Sequence, residues 1–477
     1  MKSLADEDKA AIAEILPQEE IINPPSEVYL KESKVWAAQK QRHPSVVLRP
    51  SSVEKLQKLV PYLYESGLDF AIRCGGIGSS SAKDVVVSMK AFDSFQYSAE
   101  DHTVIFGAGS TWGQVEQKLE EAAPGRVVVS ARVPWVGVAG STLSGCISWI
   151  GTEFGLAADP HNMLDVEIVL RDGRRIWASS EPDLLWALRG GGGNFGVVTR
   201  FHMRTYPYTS SIFAGRIAYP PSALEVVSRR VAEFAARPYD PKLSLHCLIG
   251  VADEKFPGQA SWVSDSSDPK HEAATFRLSM FVFDAYGEEH GRSEEGFKWA
   301  LDVPEAVDKT TVTNLRGGPE HLLEATNSYL NACLAHEIDP EFVIRGKQWV
   351  DHVVEMDERL GPGTLFLLEV MQEKTFNSTS SSKETAWPHS TAPHVLQLLT
   401  GSLPDSGCSE ELALEALARG PLEIKKSHSK ADFFPNFLEP INDRSAIFGG
   451  NYDKLQQIKR RYDPEARFNK GSYIPPA

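Results

Sequence analysis

Hydrophobic positions along the chain switch repeatedly between helical and strand spacing. In SSVEKLQKLVPYLYESG, Val53, Leu56, Leu59, Val60 and Leu63 follow helical spacing, Ser51 and Glu54 match a capping box, and Gly67 suits the end, so a helix is predicted. LDFAI then reads as a strand, RCGGIGSSS as a loop, and AKDVVVSM as another strand. TVIFGAG predicts a strand leading into the helix TWGQVEQKLEEA, where Thr111 and Gln114 form a second possible capping box. MLDVEIVL and RIWAS flank RDGR, and its Asp172-Gly173 pair predicts a hairpin. SEPDLLWALRG reads as a short helix with Pro182 in its first turn, and GVVTRFHMRTY returns to strand. The first 205 residues thus mix α and β without the long βα repeats of a doubly wound parallel sheet.

Beyond Tyr206 the texture changes. Strand patterns in KLSLHCLIGV, FRLSMFVFDAY, TLFLLEVMQE and HVLQLLTGS alternate with amphipathic helix patterns in ALEVVSRRVAEFAARP and PEHLLEATNSYL. Residues 206 to about 425 therefore predict an α+β domain with a largely antiparallel sheet. NSTSSSKET reads as a polar loop, and NYDKLQQIKRRYDPEARFNKG as a last helix ending at Asp463-Pro464.

Composition narrows the function classes. A chain of 477 residues with 42% hydrophobic content predicts two or three globular domains. Its net charge of -15 argues against nucleic acid or an anionic membrane as partner, since both reward clustered Lys and Arg. The five cysteines (Cys74, Cys146, Cys247, Cys333, Cys408) are scattered without a CxxC pair, so neither a disulfide framework nor a metal site is expected. The N-terminus is charged from its start and no run of 18 apolar residues occurs, which together read as a cytoplasmic protein.

Four small-residue segments carry the chemistry: RCGGIGSSS (73–81), VGVAGSTLSGC (136–146), FGLAAD (154–159) and RGGGGNFGVVT (189–199). RCGGIGSSS lacks the Gly-Lys-Ser/Thr of a P-loop and the following helix of a Rossmann fingerprint. Taken alone it is a hairpin turn or an anion-binding nest of backbone N–H groups. Four consecutive glycines at 190–193 are costly in chain entropy unless the backbone needs close approach or positive φ. A dinucleotide pyrophosphate, met by clustered backbone donors, supplies one reason for the whole set.

In order, RxGGxG, VGVxGxxxxG, FGLAAD, EIVLxDG, DLLWALRGGGGNFGVVT and the terminal NYxxLxxxKxxYDP resemble the berberine bridge enzyme-like FAD-linked oxidases of the vanillyl-alcohol oxidase superfamily, with the flavour of fungal biosynthetic members. The likeness is close over residues 40–208 and moderate over the last 45. It implies an α+β fold: a PCMH-type FAD-binding domain of two α+β subdomains (residues 1–205, core about 40–208), an α+β substrate domain (206–425) with a largely antiparallel sheet, and a C-terminal segment (426–477) returning to the FAD domain. It further implies that Arg73, Cys74, Gly75, Gly76, Ile77, Gly78 and Ser79 cradle the pyrophosphate. Pro134, Val136, Gly137, Ala139, Gly140, Ser141 and Gly145 would line the pyrophosphate and flavin side. Asp159, Gly196, Val197 and Val198 would add further contacts, and Asn436 and Phe437 would lie against the flavin ring. Arg73 is open to two readings, a phosphate contact or a strand-end salt bridge.

Departures from the family pattern carry as much meaning. Covalent members attach FAD through a His where this chain has Ile77, and bicovalent members add a Cys where it has Val133. Neither side chain is nucleophilic, so FAD is expected to be bound noncovalently. Phe434 and Phe437 replace the two tyrosines of a Tyr-x-Asn-Tyr element, which removes a phenolic base. Ala139, Ser144 and Cys146 stand where glycines are usual, and Pro160-His161 is an insertion.

A proton acceptor must then come from the substrate domain. Glu369 and His389 are candidates, with Gln397 as an orienting group; Glu369 could instead be a surface carboxylate, and His389 a structural histidine. Cys74 and Cys146 read as small packing residues. The expected function is an oxidase or dehydrogenase that takes hydride from a small, apolar secondary metabolite, with molecular oxygen as a possible second substrate. A redox-neutral isomerase or cyclase using FAD as scaffold is the alternative.

Overall fold

The computed structural model describes residues 4–78, 80–238, 240–251, 276–313, 327–371, 384–389, 392–426, 434–435 and 439–477. Short apolar runs build the first sheet from β1 (Ile21–Ile22), β2 (Val46–Leu48), β3 (Phe70–Arg73) and β4 (Val85–Ser88), in the order β1-β2-β4-β3. The helix Val53–Glu65 buries Leu56, Leu59, Val60 and Leu63 against it, as their spacing predicts. Its N-cap is Ser52, which accepts from the Lys55 amide, and not Ser51, whose hydroxyl is drawn to Glu20.

β3 and β4 pair in parallel, Phe70 opposite Val85 and Arg73 opposite Ser88. A hairpin would leave its strands antiparallel, so the hairpin reading of RCGGIGSSS is ruled out. The loop begins a crossover that returns the chain to the same end of the sheet.

The second sheet contains β5 (Phe95–Ser98), β6 (Thr103–Gly107), β7 (Arg126–Val128), β8 (Met163–Val169), β9 (Arg175–Trp177) and β10 (Val197–Pro207). Its order is β5-β6-β10-β8-β9, with β7 pairing the far end of β10. The capping box of Thr111 and Gln114, the β8–β9 hairpin with Gly173 at positive φ, and Pro182 in the first turn of Pro182–Leu188 all form as predicted.

The third sheet is wholly antiparallel. Its strands β11 (Ile212–Tyr219), β12 (Leu243–Val251), β13 (Phe276–Asp284), β14 (Val307–Thr313), β15 (Asn327–Ala335), β16 (Leu365–Val370) and β17 (His394–Ser402) run in the order β14-β11-β13-β12-β16-β17-β15. The NSYL end of the predicted helix PEHLLEATNSYL belongs to strand β15, because its alternating side chains pair with β17; the rest of that segment lies outside the described residues. One face packs its apolar side chains against the helices Leu224–Ala235, Phe342–Met356 and Glu410–Lys425. The other face carries Phe283, Ala332, Leu334 and Val395 into the core of the second sheet. The C-terminal helix Tyr452–Tyr462 packs on Pro182–Leu188, with Lys459 and Asp463 paired in the interior. Among the described residues no helix is long and apolar enough to cross a membrane, and the cysteines are unbridged.

Candidate active site

The glycine loops meet backbone to backbone. A Cβ added at Gly75 would lie 2.7 Å from the Gly137 amide nitrogen, and one at Gly137 would lie 2.5 Å from both the Gly75 nitrogen and the Cys74 sulfur. Side chains at either position would hold the loops apart, so both must be glycine. Gly137→Ala is therefore expected to cost about 1–3 kcal/mol by overpacking and to lower bound flavin, checked by thermal unfolding and flavin absorbance. Cys74 is held between these loops, with its sulfur 3.5 Å from the Ser110 carbonyl oxygen, and burial pushes its thiol pKa up. Burial likewise moves the Cys146 thiol to about 12. Both act as packing residues.

Arg73 is held by main-chain carbonyls. Its guanidinium donates to the Lys34 carbonyl from Nε at 3.2 Å and from Nη2 at 3.0 Å, and from Nη1 to the Cys74 carbonyl at 3.2 Å. It clasps its own loop and holds Gly76 against the segment at Lys34. Among the described residues no heavy atom beyond their chain neighbours lies within 4 Å of a Cβ added at Gly78 or Gly140, so a ligand can approach their backbone directly. Ile77 is half-buried in the turn between Gly76 and Gly78, and Ser79 lies outside the described residues.

In the second loop Pro134 and Val136 accept, through their carbonyls, from Gly113 at 2.8 Å and Trp112 at 3.0 Å. Ser141 is spent locally, donating to the Gly137 carbonyl at 2.9 Å and accepting from Trp112 Nε1 at 2.9 Å. Ala139 is half-buried between these contacts and exposed Gly140. Gly145 abuts Phe434, whose ring an added Cβ would touch at 2.9 Å. Gly190 and Gly192 both donate to the Leu143 carbonyl, at 3.1 and 2.9 Å, which ties the glycine run to this loop.

Gly196 enters β10, where Val197 and Val198 pair with Val169 and Ile168 of β8. β6 pairs with β10 only from Arg200 onward, so the start of β10 has a strand neighbour on one side. Asn436 and Phe437 lie outside the described residues. Open glycines on two touching loops and a half-paired strand start suit a dinucleotide held by main-chain groups.

A second constellation sits on the inward face of the third sheet. Glu369 on β16 is opposite His246 on β12. It is fully buried, at 0% exposure, which overturns the surface-carboxylate reading. Gln397 on β17 donates to Oε1, and Arg132, from the loop preceding Pro134, forms an ion pair with the same oxygen. Among the described residues Glu369 Oε2 has no hydrogen-bond partner, and His246 Nε2 lies 3.9 Å from it. Burial raises the Glu369 pKa, while Arg132 and Gln397 pull against it.

Arg132 Nη1 also lies 3.2 Å from His246 Nε2. A guanidinium can only donate, so Nε2 accepts and the His246 proton resides on Nδ1. Burial, then the Arg132 charge, drive the His246 pKa well down, which keeps the ring neutral. Trp149 stacks on that ring with centroids 4.0 Å apart.

His389 joins a different group. Its Nε2 lies 2.9 Å from Asp159 Oδ1, and Asp159 Oδ2 accepts from the Leu156 amide at 2.7 Å. Burial lowers the His389 pKa to about 4. His389 and Asp159 thus lie side by side, and Asp159 caps the turn at Leu156. Glu369 and Gln397 are brought together as a unit. Sequence reasoning missed Arg132, His246 and Trp149; the one available signal was His246, a lone titratable residue in the apolar alternation LSLHCLIG.

Comparison with known proteins agrees with this architecture. A family model described as FAD binding domain matches residues 44–179, and one described as berberine and berberine like matches residues 434–475. The chain is 33% identical over 229 residues to an FAD-dependent monooxygenase, tpcD, of Cochliobolus heterostrophus, covering 46% of this chain and 43% of that one. It is 29% identical over 489 residues to (R)-6-hydroxynicotine oxidase of Paenarthrobacter nicotinovorans, covering 96% and 97%. The matches to tpcD and to FUP4 of Fusarium proliferatum span less than half the length of those relatives, 43% and 44%. Among solved structures, Physcomitrella patens BBE-like 1 superimposes with a TM-score of 0.79 at 17% identity, covering 98% of each chain. The chain thus carries an FAD binding domain over residues 44–179 and a berberine-like segment over 434–475, on the fold of Physcomitrella patens BBE-like 1.

Proposed function

We propose that this protein is an FAD-dependent oxidoreductase that takes hydride from a small, apolar substrate and binds its flavin noncovalently. The observation that carries the reading is the buried carboxylate of Glu369, held at Oε1 by Arg132 and Gln397 and, among the described residues, without a hydrogen-bond partner at Oε2. When bound, FAD supplies the hydride acceptor. The chain must then supply a proton acceptor and a dry, oriented pocket. Glu369 Oε2 is the acceptor for a substrate O–H or N–H proton. Gln397 and Arg132 orient the carboxylate and favour its ionised form, while neutral His246 fixes Arg132 from the other side.

The pyrophosphate would be held by the backbone of residues 74–78 and 136–140, and the start of β10 at Gly196–Val198 would supply further main-chain contacts. Asn436 and Phe437 remain candidates for the flavin ring. Ile77 and Val133, which offer no nucleophile, support noncovalent attachment. Relatives named as oxidases and monooxygenases do not favour the redox-neutral alternative. Molecular oxygen is the expected reoxidant, and the unbridged cysteines support a reducing, cytoplasmic setting. Domain limits follow the same reading, with 1–205 for the cofactor, 206–425 for the substrate and 426–477 returning to the cofactor domain.

Anaerobic addition of a turned-over substrate is expected to bleach the yellow flavin. Turnover with an unchanged flavin spectrum would sink the oxidoreductase reading. Acid precipitation is expected to leave the yellow colour in the supernatant; colour in the pellet would show a covalent bond.

A further inference from the structure

Beyond Glu369, the inward face of the third sheet turns apolar. β16 places Leu367 and Leu365 two and four residues before Glu369 on the same face. Leu248 stands opposite Leu367, Leu399 opposite Leu365, and Leu330 opposite Leu399. These five leucines form a cluster separate from the two large cores, and Trp36 packs against it. Four of them (Leu330, Leu365, Leu367 and Leu399) keep 8–9% of their surface accessible. On the opposite face of the same strands Leu368, Leu396 and Leu398 keep 0%. The inward row therefore borders accessible space, where the outward row is packed solid.

Trp36 is held in place from both sides. Its amide donates to the Gly76 carbonyl of the glycine loop at 3.1 Å. Three residues on, Gln39 exchanges two hydrogen bonds with the Ser328 main chain near the start of β15, at 2.6 and 2.9 Å. The segment is further closed by Gln41, which accepts from the Val35 amide at 3.0 Å. Trp36 thus stands as a fixed wall between the glycine loop and the leucine row, at a site the sequence motifs do not touch.

We infer that the substrate is an elongated amphiphile: its polar group meets Glu369, its hydrocarbon lies along the leucine row, and Trp36 sets the length accepted. This rests on the proposed role of Glu369 as the polar anchor. At a rise of about 3.3 Å per residue, Glu369 to Leu365 spans about 13 Å, comparable to a six-membered ring bearing a short alkyl chain.

The test uses the FAD-loaded protein and 4-alkylphenols from methyl to hexyl as probes, with dissociation constants from equilibrium dialysis. Affinity is expected to rise about three- to fourfold per methylene while the chain covers leucine, and to stop rising or fall at hexyl. In Trp36→Ala the hexyl compound should bind tighter than the butyl, with 4-methylphenol affinity unchanged. Trp36→Phe should retain the wild-type limit, and flavin absorbance should confirm equal FAD content in all three proteins. Affinity independent of chain length, or the same length limit in Trp36→Ala, would overturn the inference. Bleaching is a separate readout: its failure with any substrate would sink the oxidoreductase reading and leave the length rule standing, while loss of the length rule with bleaching intact would sink that rule alone.

Discussion

Glu369→Gln is expected to slow anaerobic flavin reduction by about 10²–10⁴-fold, the usual contribution of a positioned acid or base. Glutamine keeps the shape and a carbonyl oxygen for Arg132 but cannot take a proton. The pH profile separates this from a structural effect. Burial holds the Glu369 pKa above the ordinary carboxylate range, so the wild-type rate should climb as pH rises through that value and the carboxyl ionises. The variant should lose this limb. Stability moves the other way: with its folded pKa raised, Glu369 favours folding below its unfolded value and loses that contribution as pH rises through the folded one. Stopped-flow reduction from acid to neutral pH reads the result, and an unchanged limb in Glu369→Gln would exclude Glu369 as the base.

The largest loss of stability should come from Lys459→Met. Lys459 and Asp463 are both 0% exposed and pair at 2.5 Å. The ammonium also donates to the Asn194 and Phe468 carbonyls, each at 2.8 Å. Asp463 in turn accepts from Tyr64 Oη at 2.9 Å and from the Arg467 and Phe468 amides at 2.8 Å. One ion pair therefore joins the C-terminal helix, the glycine run after Leu188 and the first helix-and-sheet layer. Removing the cation leaves a buried carboxylate uncompensated, at a cost of about 3–5 kcal/mol. Thermal or urea unfolding should show this, and Lys459→Met combined with Asp463→Leu should recover part of it. A loss below about 1 kcal/mol in the single variant would show that hydrogen bonds alone satisfy Asp463.

Much of the architecture was legible because its signals are local. The turn at Asp172-Gly173, the cap at Thr111 and Gln114, and the strand runs of β12, β13, β16 and β17 each declare themselves within about ten residues. Strand direction did not, since β3 and β4 look the same in sequence whether the loop between them turns back or crosses over. The helical pattern assigned to NSYL failed because four residues cannot separate a period of 2 from 3.6.

The active-site reading divides in the same way. Gly75 and Gly137 were found through motifs, yet their mutual contact spans more than sixty residues of chain and leaves no trace in spacing. Glu369 and Gln397 were named from a single strand each, and their pairing depends on β16 lying beside β17. Nothing in ARVPWVG marks Arg132 as a partner for a strand far downstream. For His389, residue type suggests a base, and its neighbour Asp159 is visible only in the tertiary packing.

The pair of Arg132 and Glu369 has one more consequence. The arginine, 15% exposed, belongs to the glycine-loop half of the molecule, and the carboxylate, at 0%, to the third sheet. Dissolved ions weaken exposed pairs such as Lys9 and Asp6 at millimolar to molar strength, because screening acts through the surrounding water. Little water reaches Arg132 and none reaches Glu369, so the clasp between the two halves is insulated from ionic strength.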